Sequence, residues 1–139
     1  MKEINKKKSI SEICELIKHI PEFTHKTTTR EISERIKGKD HEFIIVHENN
    51  EPTGFLIAYN LDKKTYYNWI MGVLSEFRRK GYGRKLIEKF ESIAREKGYS
   101  AVQVKTTDKF KAMQHLLAEL GYKEIGYDEE RKIILKKNL

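Results

Sequence analysis

Cysteine, proline and long apolar runs are all scarce in this sequence of 139 residues. The single cysteine, Cys14, has no partner for an internal disulfide, and its position among isoleucines predicts a buried packing role. No apolar run approaches the roughly 18 residues that span a bilayer, and no apolar stretch follows the charged start MKEINKKK. We therefore expect a soluble, cytoplasmic protein with no secretory signal and no membrane partner.

Metal-ligand spacing and the common phosphate-loop signatures are missing as well. No cluster of His, Cys, Asp or Glu has the spacing of a zinc site, so no metal is expected. The pattern G-x-x-x-x-G-K-[ST] is absent, and GYG at 81–83 lacks the third glycine of a dinucleotide-binding fingerprint. These absences exclude the usual nucleotide loops and leave other kinds of anion site open.

Positive charge is in excess, with 28 Lys and Arg against 21 Asp and Glu and a formal net charge of +7. The excess favours an anionic partner without naming one: nucleic acid, a phosphorylated cofactor and simple solubility all stay open. Most cationic residues stand in short clusters that suit a solvated surface. One cluster, Arg78 to Lys85, surrounds two glycines.

Hydrophobic periodicity predicts a mixture of helices and strands. Helical spacing, the capping-box pairs Ser9 with Glu12 and Thr28 with Glu31, and terminal glycines predict helices at 9–20, 28–36, 86–98 and 112–120. Strands are expected at 43–46, 54–59, 65–74, 101–104, 122–127 and 132–135. No repeat, linker or low-complexity stretch interrupts this order, so residues 1–139 are predicted to form one domain.

The stretch FRRKGYGRKLI at 77–87 lies where the third strand gives way to the third helix. The first turn of a helix has N–H groups without partners, and glycines at 81 and 83 let the backbone turn and a ligand approach. Cations there oppose the helix dipole at a cost of up to about 1 kcal/mol each. An anion-binding loop explains them better than the alternative, a solvated turn.

These residues also resemble a known family. RRKGYG at 78–83 resembles the [RQ]-x-x-G-x-[GA] motif of the GNAT superfamily of acyl-CoA-dependent N-acyltransferases. Residues 101–105 resemble the family's fifth strand, and FKAMQHLLAELGYKEIGY resembles its last helix with the L-G-[FY] ending. Across the whole chain, the resemblance implies an α/β fold: a mixed, mostly antiparallel central sheet, splayed fourth and fifth strands in family numbering, and about four helices.

The resemblance implies an N-acetyltransferase that passes an acetyl group from acetyl-CoA, its co-substrate, directly to a primary amine in a ternary complex. Amides of the 79–84 loop would bind the pyrophosphate, and the main chain of residues 71–73 would pair with the pantetheine arm. The N–H of Val73 or Leu74 would donate to the thioester carbonyl. Gly72 equally suits a strand bulge. The implied cofactor-binding residues are Met71, Gly72, Val73, Leu74, Arg78, Arg79, Lys80, Gly81, Tyr82, Gly83, Arg84 and Phe110.

The catalytic positions depart from the family pattern. Tyr67 and Gln103 occupy strand positions where relatives carry a glutamate base, and Leu117 stands where many have a tyrosine acid. Three hypotheses stay open: proton removal through water, a nonstandard group such as Tyr66, Tyr67 or Tyr127, and a domain that binds acyl-CoA without turnover. Tyr67 is the catalytic candidate, although its ordinary pKa near 10 makes it a poor base.

A nucleic-acid-binding module is the competing hypothesis. It would need the aromatics Tyr66, Tyr67 and Trp69 exposed for stacking beside the basic residues. Their strand spacing favours packing, so binding of nucleic acid is not expected. The acceptor, a small molecule or a protein, is unidentified, and residues 21–29 are where the resemblance would place its contacts. A homodimer is compatible with the family.

Overall fold

A computed structural model describes the backbone of residues 2–139 and the side chains of residues 8–139. In this part of the chain, helices and strands follow each other in the predicted order. The helices are α1 (Lys2–Lys18), α2 (Thr29–Ile36), α3 (Tyr82–Glu96) and α4 (Lys111–Glu119), with a 3-10 turn at Ser75–Phe77. The strands are β1 (His41–Glu48), β2 (Glu51–Asn60), β3 (Thr65–Val73), β4 (Ala101–Thr106), β5 (Lys123–Tyr127) and β6 (Ile133–Asn138). None of the described helices combines the length and apolar character needed to cross a bilayer.

The two predicted capping boxes have different outcomes. The box at Thr28 is confirmed, because its side chain accepts from the Glu31 amide and the Glu31 side chain accepts from the Thr28 amide. The box at Ser9 is wrong, since α1 already begins at Lys2 and Ser9 lies inside it. The preceding Lys and Glu residues are good helix formers, so the helix extends past the local capping signal.

The six strands form one sheet in the order β1-β2-β3-β4-β6-β5. All neighbouring strands are antiparallel except β3 and β4, which are parallel. The predicted mixed, mostly antiparallel sheet is confirmed. The first hairpin turns at Asn49 and Asn50, whose φ angles of 51° and 68° suit a tight two-residue turn, so β1 and β2 are longer than predicted.

The strands β3 and β4 separate part of the way along their length. They pair only over Thr65–Asn68 and Ala101–Val104, and β3 then continues to Val73 beside β2 alone. These are the strands for which splaying was predicted. The register between β2 and β3 slips at Ile57/Ala58, which leaves Trp69 as an extra residue at the branch point.

The alternative prediction of a bulge at Gly72 is therefore wrong in its position. Gly72 pairs regularly with Phe55. A Cβ on Gly72 would lie 2.8 Å from Cε2 of Phe23 and 2.9 Å from Cδ1 of Ile20. Glycine is needed here because the loop after α1 packs directly against the backbone of β3.

The sheet separates two hydrophobic clusters. One lies against α3 and α4 and contains Tyr66, and the other lies against α1 and α2 and contains Tyr67 and Cys14. Tyr66 is fully buried and Tyr67 is 7% exposed. The burial predicted for Cys14 is confirmed. Neither tyrosine is available as a stacking surface for bases, which removes the aromatic pair on which the nucleic-acid hypothesis depended.

Candidate active site

The loop between β3 and α3 presents a row of unpaired amides. Arg79 and Gly81 have φ angles of 65° and 85°, and these left-handed residues curl the backbone around its own N–H groups. The first hydrogen bond of α3 runs from the Lys85 amide to the Gly81 carbonyl, at 3.1 Å. The amides of residues 79–84 donate to no acceptor in the described part of the chain. The loop therefore has the geometry of an anion cradle at a helix N-terminus.

The Arg78 side chain, which the family pattern places near the pyrophosphate, has partners within the protein. Its guanidinium binds both carboxylate oxygens of Glu22, at 2.6 and 2.9 Å, and its Nε donates to the Val73 carbonyl at 3.1 Å. Glu22 belongs to the loop between α1 and α2, which folds over the end of β3. The Arg78 side chain thus links that loop to β3, and the open cradle amides begin after it.

The other cations of the loop are divided between internal partners and solvent. Lys80 lies 3.3 Å from a Glu48 oxygen, and Arg84 lies 2.8 Å from Glu119. The Tyr82 hydroxyl donates to Glu48 at 2.8 Å. Arg79 and Lys85 form no salt bridge with any carboxylate among residues 8–139, so these two supply uncompensated positive charge beside the cradle; the others are partly neutralised.

The Glu22–Arg78 pair gives a testable dependence of stability on pH. Hydrogen bonding to Arg78 lowers the pKa of Glu22 to about 2. Because the folded pKa lies below the unfolded value of about 4.5, the stabilisation is complete above that pH and is lost as the pH falls from about 4.5 towards 2. Both side chains are 39% exposed, so solvent screening limits the pair to about 1 kcal/mol or less. We expect Glu22→Gln to lower the free energy of unfolding by that amount at pH 7 in urea titrations.

The same titrations repeated between pH 7 and pH 3 separate the charge from the shape of the side chain. The difference in the free energy of unfolding between wild type and Glu22→Gln should decrease steadily below about pH 4.5. A difference that stays constant over this pH range would mean that the carboxylate charge contributes nothing to stability.

Main-chain groups of β3 face the gap that opens beyond Asn68. The Leu74 amide donates to the Thr53 carbonyl at 2.8 Å and is not available to a ligand. In an antiparallel ladder, neighbouring residues direct their N–H groups to opposite sides. The Val73 and Met71 amides therefore point away from β2, into the gap, whereas Gly72 bonds towards Phe55 on β2. Of the two implied donors to a thioester carbonyl, only Val73 has a free N–H.

Two buried side-chain oxygens near the gap have no hydrogen-bond partner among residues 8–139. They are Oδ1 of Asn68, the last β3 residue that pairs with β4, and Oγ1 of Thr107, directly after β4. Asn68 is 2% exposed, and its amide nitrogen donates to the Met71 sulfur at 3.2 Å. An unpaired buried oxygen costs about 1 to 3 kcal/mol, which a ligand with amide N–H groups would recover. The residues present fit the amide-bearing arm of a coenzyme A thioester.

The catalytic candidate, Tyr67, lies in an apolar setting. Its ring packs edge-on against Tyr59, with centroids 5.3 Å apart, and burial raises its pKa well above the usual value. The hydroxyl therefore stays protonated at neutral pH and accepts no proton. Gln103 lies beside it across β3 and β4, and Leu117 is fully buried in the core against α3. Tyr127 is 65% exposed.

Phe110 caps the start of α4 without a side-chain hydrogen bond. Its ring lies 5.4 Å from the Lys109 ammonium, and its carbonyl accepts the Gln114 amide at 3.1 Å. The ring can supply apolar contact and a cation-facing surface but no polar contact to a ligand. No group of three or more potential metal ligands occurs within the described residues.

An open groove of about 370 Å³, which no pattern in the sequence indicates, lies on the α2 side of the sheet. It is lined by Glu31, Glu34, Arg35, Lys39 and Trp69. The groove lies at the branch point of β3 and β4, since Trp69 is the extra residue there. Its four α2 and post-helix side chains meet Trp69 only after folding. The loop predicted to contact the acceptor, residues 21–29, ends where α2 begins, and α2 supplies three of the residues that line the groove.

Solved structures share this fold. An acetyltransferase of the GNAT family from Staphylococcus aureus has a TM-score of 0.79 and 20% identity, over 95% of this chain and 94% of that one. The PaiA N-acetyltransferase of Thermoplasma acidophilum, in complex with coenzyme A, has a TM-score of 0.78 and 14% identity, over 95% of this chain and 94% of that one. A GNAT acetyltransferase from Elizabethkingia anophelis with acetyl-CoA bound has a TM-score of 0.70 and 18% identity, over 86% of this chain and 91% of that one. At these identities the likeness shows the fold alone.

Comparison with curated protein sequences gives no significant match. The sequence model of the acetyltransferase (GNAT) family matches residues 10–122, from α1 to the tyrosine of the L-G-Y ending. That span includes both the amide cradle and the gap between β3 and β4. The chain therefore belongs to the acetyltransferase (GNAT) family, as the resemblance at residues 78–83 predicted.

Proposed function

We propose that this protein transfers an acetyl group from acetyl-CoA to a primary amine by direct attack within a ternary complex. The observation that carries the proposal is the row of unpaired amides at 79–84, placed at the end of a strand whose outer edge is open from Trp69 to Val73. Acetyl-CoA has a pyrophosphate that suits the amides, and its extended pantetheine arm, which ends in the thioester, suits the open strand edge.

Each part of the co-substrate has a matching feature of the chain. The pyrophosphate would accept hydrogen bonds from the amides of 79–84, with Arg79 and Lys85 supplying charge. The pantetheine amides would pair with the free main-chain groups of Met71, near the oxygens of Asn68 and Thr107 that have no partner among the described residues. This arrangement would leave the thioester carbonyl close to the Val73 N–H.

The chemistry requires a neutral amine, a stabilised carbonyl oxygen and a leaving thiolate. The amine nitrogen forms a bond to the carbonyl carbon, the C–S bond breaks, and its electron pair leaves on sulfur. The Val73 N–H would stabilise the negative charge that develops on oxygen. A thiol with an ordinary pKa near 8.5 leaves with little help, so leucine at position 117 is compatible with turnover. The proton of the amine passes to water.

Replacing Tyr67 with phenylalanine tests this proton route. Because burial keeps the phenol protonated, we expect Tyr67→Phe to change kcat by less than about tenfold, whereas loss of a general base usually costs about 10² to 10⁴. Steady-state thiol release from acetyl-CoA gives kcat for the wild type and the variant. A drop of two orders of magnitude, with the melting temperature unchanged, would make Tyr67 the catalytic group and refute transfer to water.

Isothermal titration with acetyl-CoA, followed by thiol release with a panel of amines, tests the proposal as a whole. Saturable one-to-one binding and amine-dependent release are expected. Absence of binding by the folded protein would overturn the proposal. Binding without release for any amine would instead identify an acyl-CoA-binding domain that does not turn over.

A further inference from the structure

The groove beside Trp69 is lined by two cations, Arg35 and Lys39. The Arg35 guanidinium lies over the Trp69 ring, 4.6 Å from its centroid, and Lys39 Nζ lies 4.5 Å from the centre of the Tyr59 ring. Arg35 donates to the Tyr59 hydroxyl at 3.3 Å and Lys39 to the Arg35 carbonyl at 2.9 Å. Neither cation forms a salt bridge with any carboxylate among residues 8–139.

The two glutamates that line the groove are engaged elsewhere. Glu34 binds Arg30 at 3.0 Å, and Glu31 binds His25 at 2.8 Å and the Thr28 cap. Both carboxylates thus have hydrogen-bonding partners other than the two groove cations. Among the described residues that line the groove, Arg35 and Lys39 are the cations without a carboxylate partner, and both are held in place over aromatic rings.

The groove reaches the gap from the side opposite to α3. Trp69 packs with the cluster under α1 and α2, whereas the cradle leads into α3, which packs on the other face of the sheet. Trp69 also directly follows Asn68, the last residue of β3 that pairs with β4. A molecule in the groove would therefore approach the branch point from the face that a ligand held by the cradle leaves open.

The sheet face next to the groove carries two further lysines, one of which, Lys136, lies near the carboxylate of Asp62. Residues that pair across strands share a face, and Tyr67 is in register with Gln103, which pairs with Lys136, which pairs with Lys123. This row contains two cations and no carboxylate. Lys123 is exposed and Lys136 is half-buried.

From these contacts we infer that the groove is the acceptor site and that it selects an amine which carries a carboxylate, bound by Arg35. This inference rests on the proposed function and deepens it. The planar guanidinium suits a carboxylate, because it can donate two parallel hydrogen bonds. The carboxylate can belong to a free amino acid or to an acidic segment of a protein, and the chemistry that binds it is the same.

Fluorescence provides a direct test, since Trp69 is the only tryptophan in the chain. We would titrate the CoA-loaded protein with two matched pairs of amines. The first pair is β-alanine and β-alaninamide, and the second is a pentapeptide with glutamate at its second and third positions and the same peptide with glutamine there. We expect a saturable change for the carboxylate member of at least one pair, and at least about tenfold weaker binding of its amide partner. The pair that responds distinguishes a free amino acid from a protein segment.

Variants of α2 locate the effect. Arg35→Gln should lose the carboxylate preference, and Arg35→Lys, which keeps the charge without the fork, should lie between it and the wild type. Lys37→Gln is the matched control, because it removes one positive charge from an exposed position beside α2 that does not line the groove. Circular dichroism establishes that each variant is folded.

Several results would overturn the inference. They are no saturable change with either carboxylate, equal affinity for both members of each pair, an unchanged preference in Arg35→Gln, or tighter binding of the cationic amine spermidine. Titration with acetyl-CoA separates this failure from failure of the proposed function. A protein that binds acetyl-CoA but shows no carboxylate preference refutes the groove assignment alone.

Discussion

Replacing Gly81 with glutamate is expected to lower the affinity for acetyl-CoA by at least about 100-fold, which is close to complete loss in a calorimetric titration. Gly81 is the N-cap of α3, at the centre of the unpaired amides of 79–84. A Cβ at this position meets no atom within 4 Å, so the new side chain has room. Its carboxylate can accept the same N–H groups and repel the phosphates that would otherwise bind them.

Gly98→Glu provides the matched control for this experiment. Gly98 follows the other end of α3, has a φ of 89° compared with 85° at Gly81, and also has nothing within 4 Å of an added Cβ. The two substitutions thus carry a similar left-handed backbone cost of about 1 kcal/mol. If Gly98→Glu binds acetyl-CoA normally and Gly81→Glu does not, the loss is specific to the cradle. Equal weakening in both variants, or normal binding by a folded Gly81→Glu, would refute the cradle.

Replacing Val73 with proline is expected to reduce kcat by about 10² to 10³ while acetyl-CoA binding changes little. Proline removes the one amide that faces the gap near the proposed thioester position. It breaks no hydrogen bond to β2, because the adjacent Leu74 amide makes the ladder bond to Thr53. The preceding residue is Gly72, which tolerates the restriction that proline imposes on its neighbour. At this point β3 is an edge strand, where proline is acceptable.

Val73→Ala distinguishes loss of the N–H from loss of packing, since it removes most of the side chain and keeps the amide. We expect its kcat to stay close to that of the wild type, measured with the best acceptor from the thiol-release panel. Thermal melts establish that both variants fold. A similar fall in kcat in the alanine and proline variants would assign the effect to the side chain and exclude the Val73 amide as the donor to the carbonyl oxygen.

Much of the fold could be predicted from short-range patterns. The apolar spacing in α3, the capping box of Thr28 and Glu31, and the continuous apolar run in β2 each depend on residues a few positions apart, and each has the predicted structure. Gly98 has the left-handed backbone predicted for the position that directly follows a helix. The motif at 78–83 also led to the family, because the backbone geometry of a strand-to-helix turn depends on the residues within it.

The failures involve partners that are distant in the sequence. Arg78 binds Glu22, 56 residues away, and no pattern near RRKGYG indicates that contact. The bulge lies at Trp69 and not at Gly72. Glycine at position 72 instead leaves room for the side chains of Phe23 and Ile20, which pack directly against the strand. Likewise, the Leu74 amide was a candidate donor until the register of β2 assigned it to Thr53.

The sequence by itself determined the order of helices and strands, the glycine-containing turn before α3 and the family, since these depend on local backbone preferences and side-chain periodicity. Only the tertiary structure decided which of the loop cations are neutralised, which strand amides face the gap, and that Arg35 of α2 lies over Trp69 of β3. The physical reason is that hydrogen bonds and ion pairs are assigned by distance in space, and packing of the two layers against the sheet sets those distances.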